Sequence, residues 1–104
     1  MTEKSVRSFY ALASEAYRTR DAEQLCSMHQ ESYANAMVEQ AAAAGLEVTT
    51  CAEVWQIVFA AEPTGYMDQL SNVRVKGKTA TFRSGDDPWR VRVIRDEMKI
   101  VAPK

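Results

Sequence analysis

The sequence is short of most residues from which a recognisable active site is built. It has one histidine, two cysteines, four glycines and three prolines in 104 residues. Cys26 and Cys51 stand 25 positions apart, and no further Cys or His sits at metal-ligand spacing, so neither a zinc site nor any other metal or cofactor is expected. No apolar run approaches the roughly 20 residues that span a bilayer, which gives no reason to expect a membrane. The opening Met1-Thr2-Glu3-Lys4 lacks the basic-then-apolar layout of a secretory leader. As written, the chain reads as cytoplasmic with two buried thiols. A disulfide becomes the better reading if the protein is exported and a leader has been removed. Excess charge is missing too: the net charge of -1 gives no electrostatic reason for a polyanionic partner.

What remains is an ordinary amphipathic protein, 46% hydrophobic and 26% charged, expected to form a single domain over residues 1–104. Val6, Phe9, Tyr10, Ala13 and Tyr17 recur at spacings of three and four, which predicts a helix over 3–19. Asp21 followed by Gln24 opens a short second helix holding Leu25, Cys26, Met28 and His29. A third, capped by Ser32, runs through the alanines to Gly45, and Leu46 to Thr49 reads as a short extended stretch. Thr50 and Glu53 make a capping box for a fourth helix with Val54, Trp55, Val58 and Phe59, stopped by Glu62-Pro63-Thr64-Gly65.

From about residue 69 the apolar period changes to two. Val73 and Val75, then Ala80 and Phe82, then Trp89, Val91 and Val93, then Met98 and Ile100 alternate with polar residues. The turns are expected at Gly77, across a Ser84–Pro88 loop, and at Arg95-Asp96-Glu97. Helices first and an antiparallel meander last predict an α+β fold.

The ordered segments "RDAEQLC", "AAAAG", "TTCAEVW", "VRVKGKTATF" and "WRVRVIRDEMKI" resemble the NTF2-like (cystatin-like, SnoaL-type) superfamily, in particular its small actinobacterial members. In that family Val73, Val75, Gly77, Ala80 and Thr81 would form the strand pair, and Met98-Lys99-Ile100 would occupy the closing Trp-Lys-Ile strand. The resemblance implies helices packed on a curved antiparallel sheet of four or so strands that wraps into a cone. Only Leu46 to Thr49 and one helix stand where larger members have two strands, so the cone should be small. Members that act as isomerases place a carboxylate and a tyrosine inside it; the inward strand positions from Val73 to Ile100 carry no carboxylate.

Tyr10, Tyr17, Trp55, Phe59, Trp89 and Met98 are the expected walls of any pocket, since tyrosine and tryptophan join a large apolar body to one polar atom. Asp68 is the carboxylate to test for acid–base work, and His29 beside Cys26 is the one pair with relay spacing. On the opposite sheet face Arg74, Arg83, Arg90, Arg92, Ile94 and Lys99 mix charge with apolar area. The aromatics lie on the other face, so nucleic acid is not expected there; a homodimer through this surface is. Three functions follow as expectations. The favoured one is a non-catalytic module binding a small apolar ligand or a protein partner. The others are a small isomerase, cyclase or hydrolase using a pocket carboxylate or tyrosine, and an assembly protein acting through its basic sheet face.

Overall fold

The computed structural model describes residues 1–61 and 69–103. The fold is α+β, with helices α1 (Glu3–Arg18), α2 (Ala22–Ser27), α3 (Glu31–Ala43) and α4 (Cys51–Ala61) followed by strands β1 (Leu70–Lys76), β2 (Thr79–Ser84), β3 (Asp87–Ile94) and β4 (Glu97–Val101). The strands form one antiparallel sheet in chain order, and this sheet is not closed. Residues 62–65, the expected helix stop, lie outside the described residues.

Helix α1 begins with a capping box that is easily overlooked in the sequence. Thr2 Oγ1 accepts from the Ser5 amide at 3.1 Å, and Ser5 Oγ accepts from the Thr2 amide at 2.9 Å. Val6, Tyr10, Ala13, Ala16 and Tyr17 are buried, as a 3.6-residue period requires. Its solvent side carries an Arg7–Glu3 pair at 3.0 Å, both side chains more than half exposed, which contributes little. The helix stops where Arg20 takes a φ of 60°. Asp21 then caps α2 by accepting from the Gln24 amide at 3.1 Å.

The α2–α3 junction departs from the expected cap at Ser32. Gln30 occupies the N-cap, without a side-chain hydrogen bond, and α3 starts at Glu31. Long-range pairing decides this. The Gln30 amide donates to the Ile100 carbonyl at 2.8 Å and the Ile100 amide to the Met28 carbonyl at 2.7 Å, which sets His29 beside Ile100 in parallel. At the far end of α3, Gly45 has a φ of 95°. The Leu46 amide reaches the Ala41 carbonyl and the Gly45 amide that of Ala42, the paired bonds of a Schellman stop. Residues 46–49 form no strand.

The Thr50–Glu53 box is present, with the Glu53 amide donating to Thr50 Oγ1 at 3.2 Å and the Thr50 amide to Glu53 Oε1 at 3.0 Å. The Thr49 amide and hydroxyl also donate to that carboxylate, and these bonds hold Glu53 below its usual 4.5. Beside this cap, Cys51 is disulfide-bonded to Cys26 of α2 across a Cα separation of 6.0 Å. Of the two readings of the cysteines, thiols or disulfide, the structure has the disulfide.

In the sheet, Val75 faces Ala80, Ala80 faces Val91 and Val91 faces Ile100, so the period-two residues share one surface. The register slips between Ser71 and Arg74, where Asn72 takes a φ of 55°, a conformation asparagine tolerates. The Ser84–Pro88 loop is tighter than expected: Ser84 pairs with Asp87, leaving Gly85 and Asp86 as a two-residue turn. Arg95 and Asp96 turn the last hairpin with φ of 52° and 64°, both positive as a type I′ turn demands.

One hydrophobic cluster joins the two halves, uniting Val6, Tyr10 and Tyr17 of α1, Leu25 of α2, Trp55 and Phe59 of α4, and Ala80, Phe82, Val91 and Ile100 of the sheet. At its centre the Tyr10 hydroxyl lies 2.7 Å from Ser84 Oγ, a hydrogen bond between two buried groups.

Candidate functional site

The aromatics expected as pocket walls separate into three environments. Tyr17 and Phe59 are core: Tyr17 is fully buried, with the rings of Phe59 and Trp55 edge-on at 5.2 and 6.2 Å. Tyr10 is also buried, edge-on to Phe82 and Trp89. Met98 lies apart from the others, in a shallow groove with Phe9, Leu12 and the first turn of α1. Only Trp55 and Trp89 come together on a cleft, of about 250 Å³, where α3, α4 and the ends of β3 and β4 meet.

The floor of this cleft is built from buried residues, His29, Trp55, Ile100 and Val101. Half-buried Tyr33, Met37 and Trp89 form its sides, and exposed Asp87, Pro88 and Pro103 its rim. Pairing of the Met28–Gln30 segment with β4 is what carries His29 into this position. The ring is then packed on two sides, stacked with Tyr33 at 5.7 Å and edge-on to Trp55 at 5.6 Å.

His29 Nδ1 is 2.6 Å from the Leu25 carbonyl oxygen. A carbonyl can only accept, so Nδ1 carries the proton and the neutral ring presents Nε2 as an acceptor. Burial holds the imidazole below its usual 6.5, partly opposed by that hydrogen bond. The same burial raises the Tyr33 phenol above 10.0. The Trp55 indole N–H is buried, with no hydrogen-bond partner among the described residues. Leaving such a donor unsatisfied costs about 1–3 kcal/mol.

The His29 shift has a measurable consequence. Its folded-state value lies below the unfolded one, so in the window beneath about 6.5 the unfolded chain binds more protons. The associated stability is complete above that pH and is lost as pH falls through the folded value. We expect denaturation midpoints to drop between pH 7.5 and 5, with the slope flattened in His29→Gln. Asp87 lines the cleft with His29, and Glu31, Arg95, Glu97 and Lys99 line the adjoining groove on its other side. Glu53 acts in a separate window, its contribution disappearing only below about 4.5.

The pairing of His29 with Cys26 as a relay does not arise, because Cys26 is bonded to Cys51 and no described cysteine is a free thiol. Asp68 lies outside the described residues. On the far sheet face Arg74, Arg83 and Arg92 are exposed, while Arg90, Ile94 and Lys99 are half-buried. Arg83 and Arg90 donate to the Asp86 and Ala102 carbonyls, and Lys99 donates to the Ser27 carbonyl at 2.6 Å. This face is therefore partly tied to its own backbone.

Sequence reasoning overlooked His29, Tyr33, Met37 and Asp87 as cleft residues. Met37 and Tyr33 are four apart on α3, a spacing that marks one helix face, but nothing local shows which strand end that face meets. Comparison with known proteins finds no matching family, no matching curated protein and no matching solved structure. Among the described residues no helix is long and apolar enough to cross a membrane, and no group of three or more His, Cys, Asp or Glu side chains is placed to hold a metal ion.

Proposed function

We propose that the chain is a small, non-catalytic binding module of NTF2-like build that holds a flat, largely apolar small molecule in the cleft at His29, Trp55 and Trp89. The observation that carries this reading is the cleft itself: about 250 Å³ bounded by aromatic and aliphatic side chains over a floor of buried residues. That volume is just below the roughly 300–1,000 Å³ of ordinary ligand pockets and suits a molecule of one or two fused rings. Helices preceding a four-stranded antiparallel meander are in keeping with the family resemblance. The Cys26–Cys51 bond favours an oxidising compartment, where such a link persists.

The test uses the protein's own fluorophores. Trp55 and Trp89 are the only two tryptophans in the chain, and both line the cleft. Titration with a set of flat one- and two-ring compounds, polar and apolar alike, should change tryptophan emission and raise the melting temperature. Trp89→Ala should weaken that response by about tenfold, the loss of one aromatic wall. If no compound in the set alters either signal, the cleft is not a binding site and the reading fails.

A further inference from the structure

We infer that the outer face of the sheet, opposite the hydrophobic cluster, is a docking surface for an extended acidic segment of a partner protein. It stands independently of the cleft and rests on charge and register. Net neutrality conceals a segregation: residues 1–61 carry four basic and eight acidic side chains, residues 69–103 eight basic and four acidic. Strand pairing gathers most of the sheet's cations on one surface. Lys76, Thr79, Arg92 and Lys99 stand opposite one another in one row, and Arg74, Thr81 and Arg90 in the next. Arg83, two positions beyond Thr81, follows on the same face. Of the four acids, Asp86 and Asp96 lie in turns, and Asp87 pairs with Ser84 on the other surface. Only Glu97 shares the outer face, 3.4 Å from Lys99. Among the described residues the remaining five cations are in no salt bridge.

The two rows make a trough along β2. Thr79 and Thr81 are its floor, Arg74 and Lys76 of β1 one bank, and Arg90 and Arg92 of β3 the other. Banks two strands apart are separated by about 10 Å, room for one extended chain. Thr81 is exposed, and a groove of about 280 Å³ opens there beside Arg74, Arg83 and Pro88. Along each bank the cations recur every second residue, about 7 Å, the interval at which alternate side chains of an extended peptide recur. Arg83 and Arg90 donate to the Asp86 and Ala102 carbonyls, which anchors each guanidinium without cancelling its charge. Such forks match carboxylates. Single-stranded nucleic acid fits less well, because the sheet's aromatics, Phe82 and Trp89, pair with each other on the inner surface and leave bases nothing to stack on. A second copy laid face to face would set cation against cation.

Fluorescence anisotropy at low salt tests this with a labelled peptide of about eight residues alternating Glu and Thr, and an isomer with its glutamates in one block. The alternating peptide should bind at least threefold more tightly than the block isomer, and raising the salt should weaken it about tenfold. Arg74→Glu with Arg92→Glu, both exposed, should weaken binding at least tenfold and leave the melting temperature within a few degrees. Lys4→Glu with Arg7→Glu, which changes the net charge equally on α1, should alter affinity no more than about twofold. No binding, equal binding of the isomer, or an equal loss in the α1 variant overturns the proposal. So does tighter binding of an oligothymidylate or a heparin oligosaccharide of equal charge, or a dimer that the Arg74 and Arg92 reversals dissociate. Should the double variant not fold, the comparison of the two peptides on the unaltered protein decides.

Discussion

Replacing Cys26 and Cys51 together by serine is expected to lower the melting temperature by roughly 12–24 °C, and reduction of the unaltered protein should do the same. The bond closes a loop of 25 residues. Cross-linking a loop of that length removes enough unfolded-chain entropy to contribute about 3 kcal/mol, and for a domain of about 100 residues each kcal/mol moves the midpoint by roughly 4–8 °C. The site reinforces the estimate. The loop holds all of α3 and both flanking segments, and α3 has only one buried residue of its own, Ala34. With the bond cut, α3 depends on the Gln30–Ile100 pairing and its contacts with α4. An unchanged midpoint on reduction would show that the bond adds nothing to stability.

The second large effect is expected in the sheet. Phe82 is 3% exposed, edge-on to Tyr10 at 5.6 Å and tilted against Trp89 at 5.8 Å. Phe82→Ala deletes the side chain that joins α1 to the middle of the sheet and should cost about 3–5 kcal/mol by denaturant titration, a large part of the roughly 5–15 kcal/mol that holds a domain folded. Leu12→Ala is the contrast. Leu12 belongs to the same hydrophobic class and lies on the helix that Phe82 helps to seat, yet it is 60% exposed, so its loss should stay within about 0.5 kcal/mol. Similar losses for the two would mean that the inner face of the sheet is not what secures α1.

How much of this was legible in advance depended on the range of the interactions. Val6, Tyr10, Ala13 and Tyr17 were readable because a helix repeats its buried face every few residues, and Ala80, Phe82, Val91 and Ile100 because a strand alternates. The Thr50–Glu53 cap and the Gly45 stop were readable because both act within a few residues. The start of α3 was not: Ser32 is a sound local cap, but hydrogen bonds to Ile100, 70 positions away, fixed the backbone at Gln30 first. The cleft was only half legible for the same reason. Trp55 and Trp89 announced themselves by size, whereas His29 reached the floor through that same distant pairing and Tyr33 by lying one helical turn beyond it. The disulfide depended on two cysteines brought within 6.0 Å by the packing of α2 on α4, which no spacing rule supplies.

Pairing of Met28 and Gln30 with Ile100 also bears on how copies of the chain can associate. An endless ribbon of copies needs two open margins on each sheet, one to give and one to receive. Here the β4 margin is already taken along part of its length by the chain's own backbone, and β1 is the sole terminal strand without such a neighbour among the described residues. The β1 margin is thereby the more open of the two, and pairing of copies through it would leave only the partly occupied β4 margin at either end.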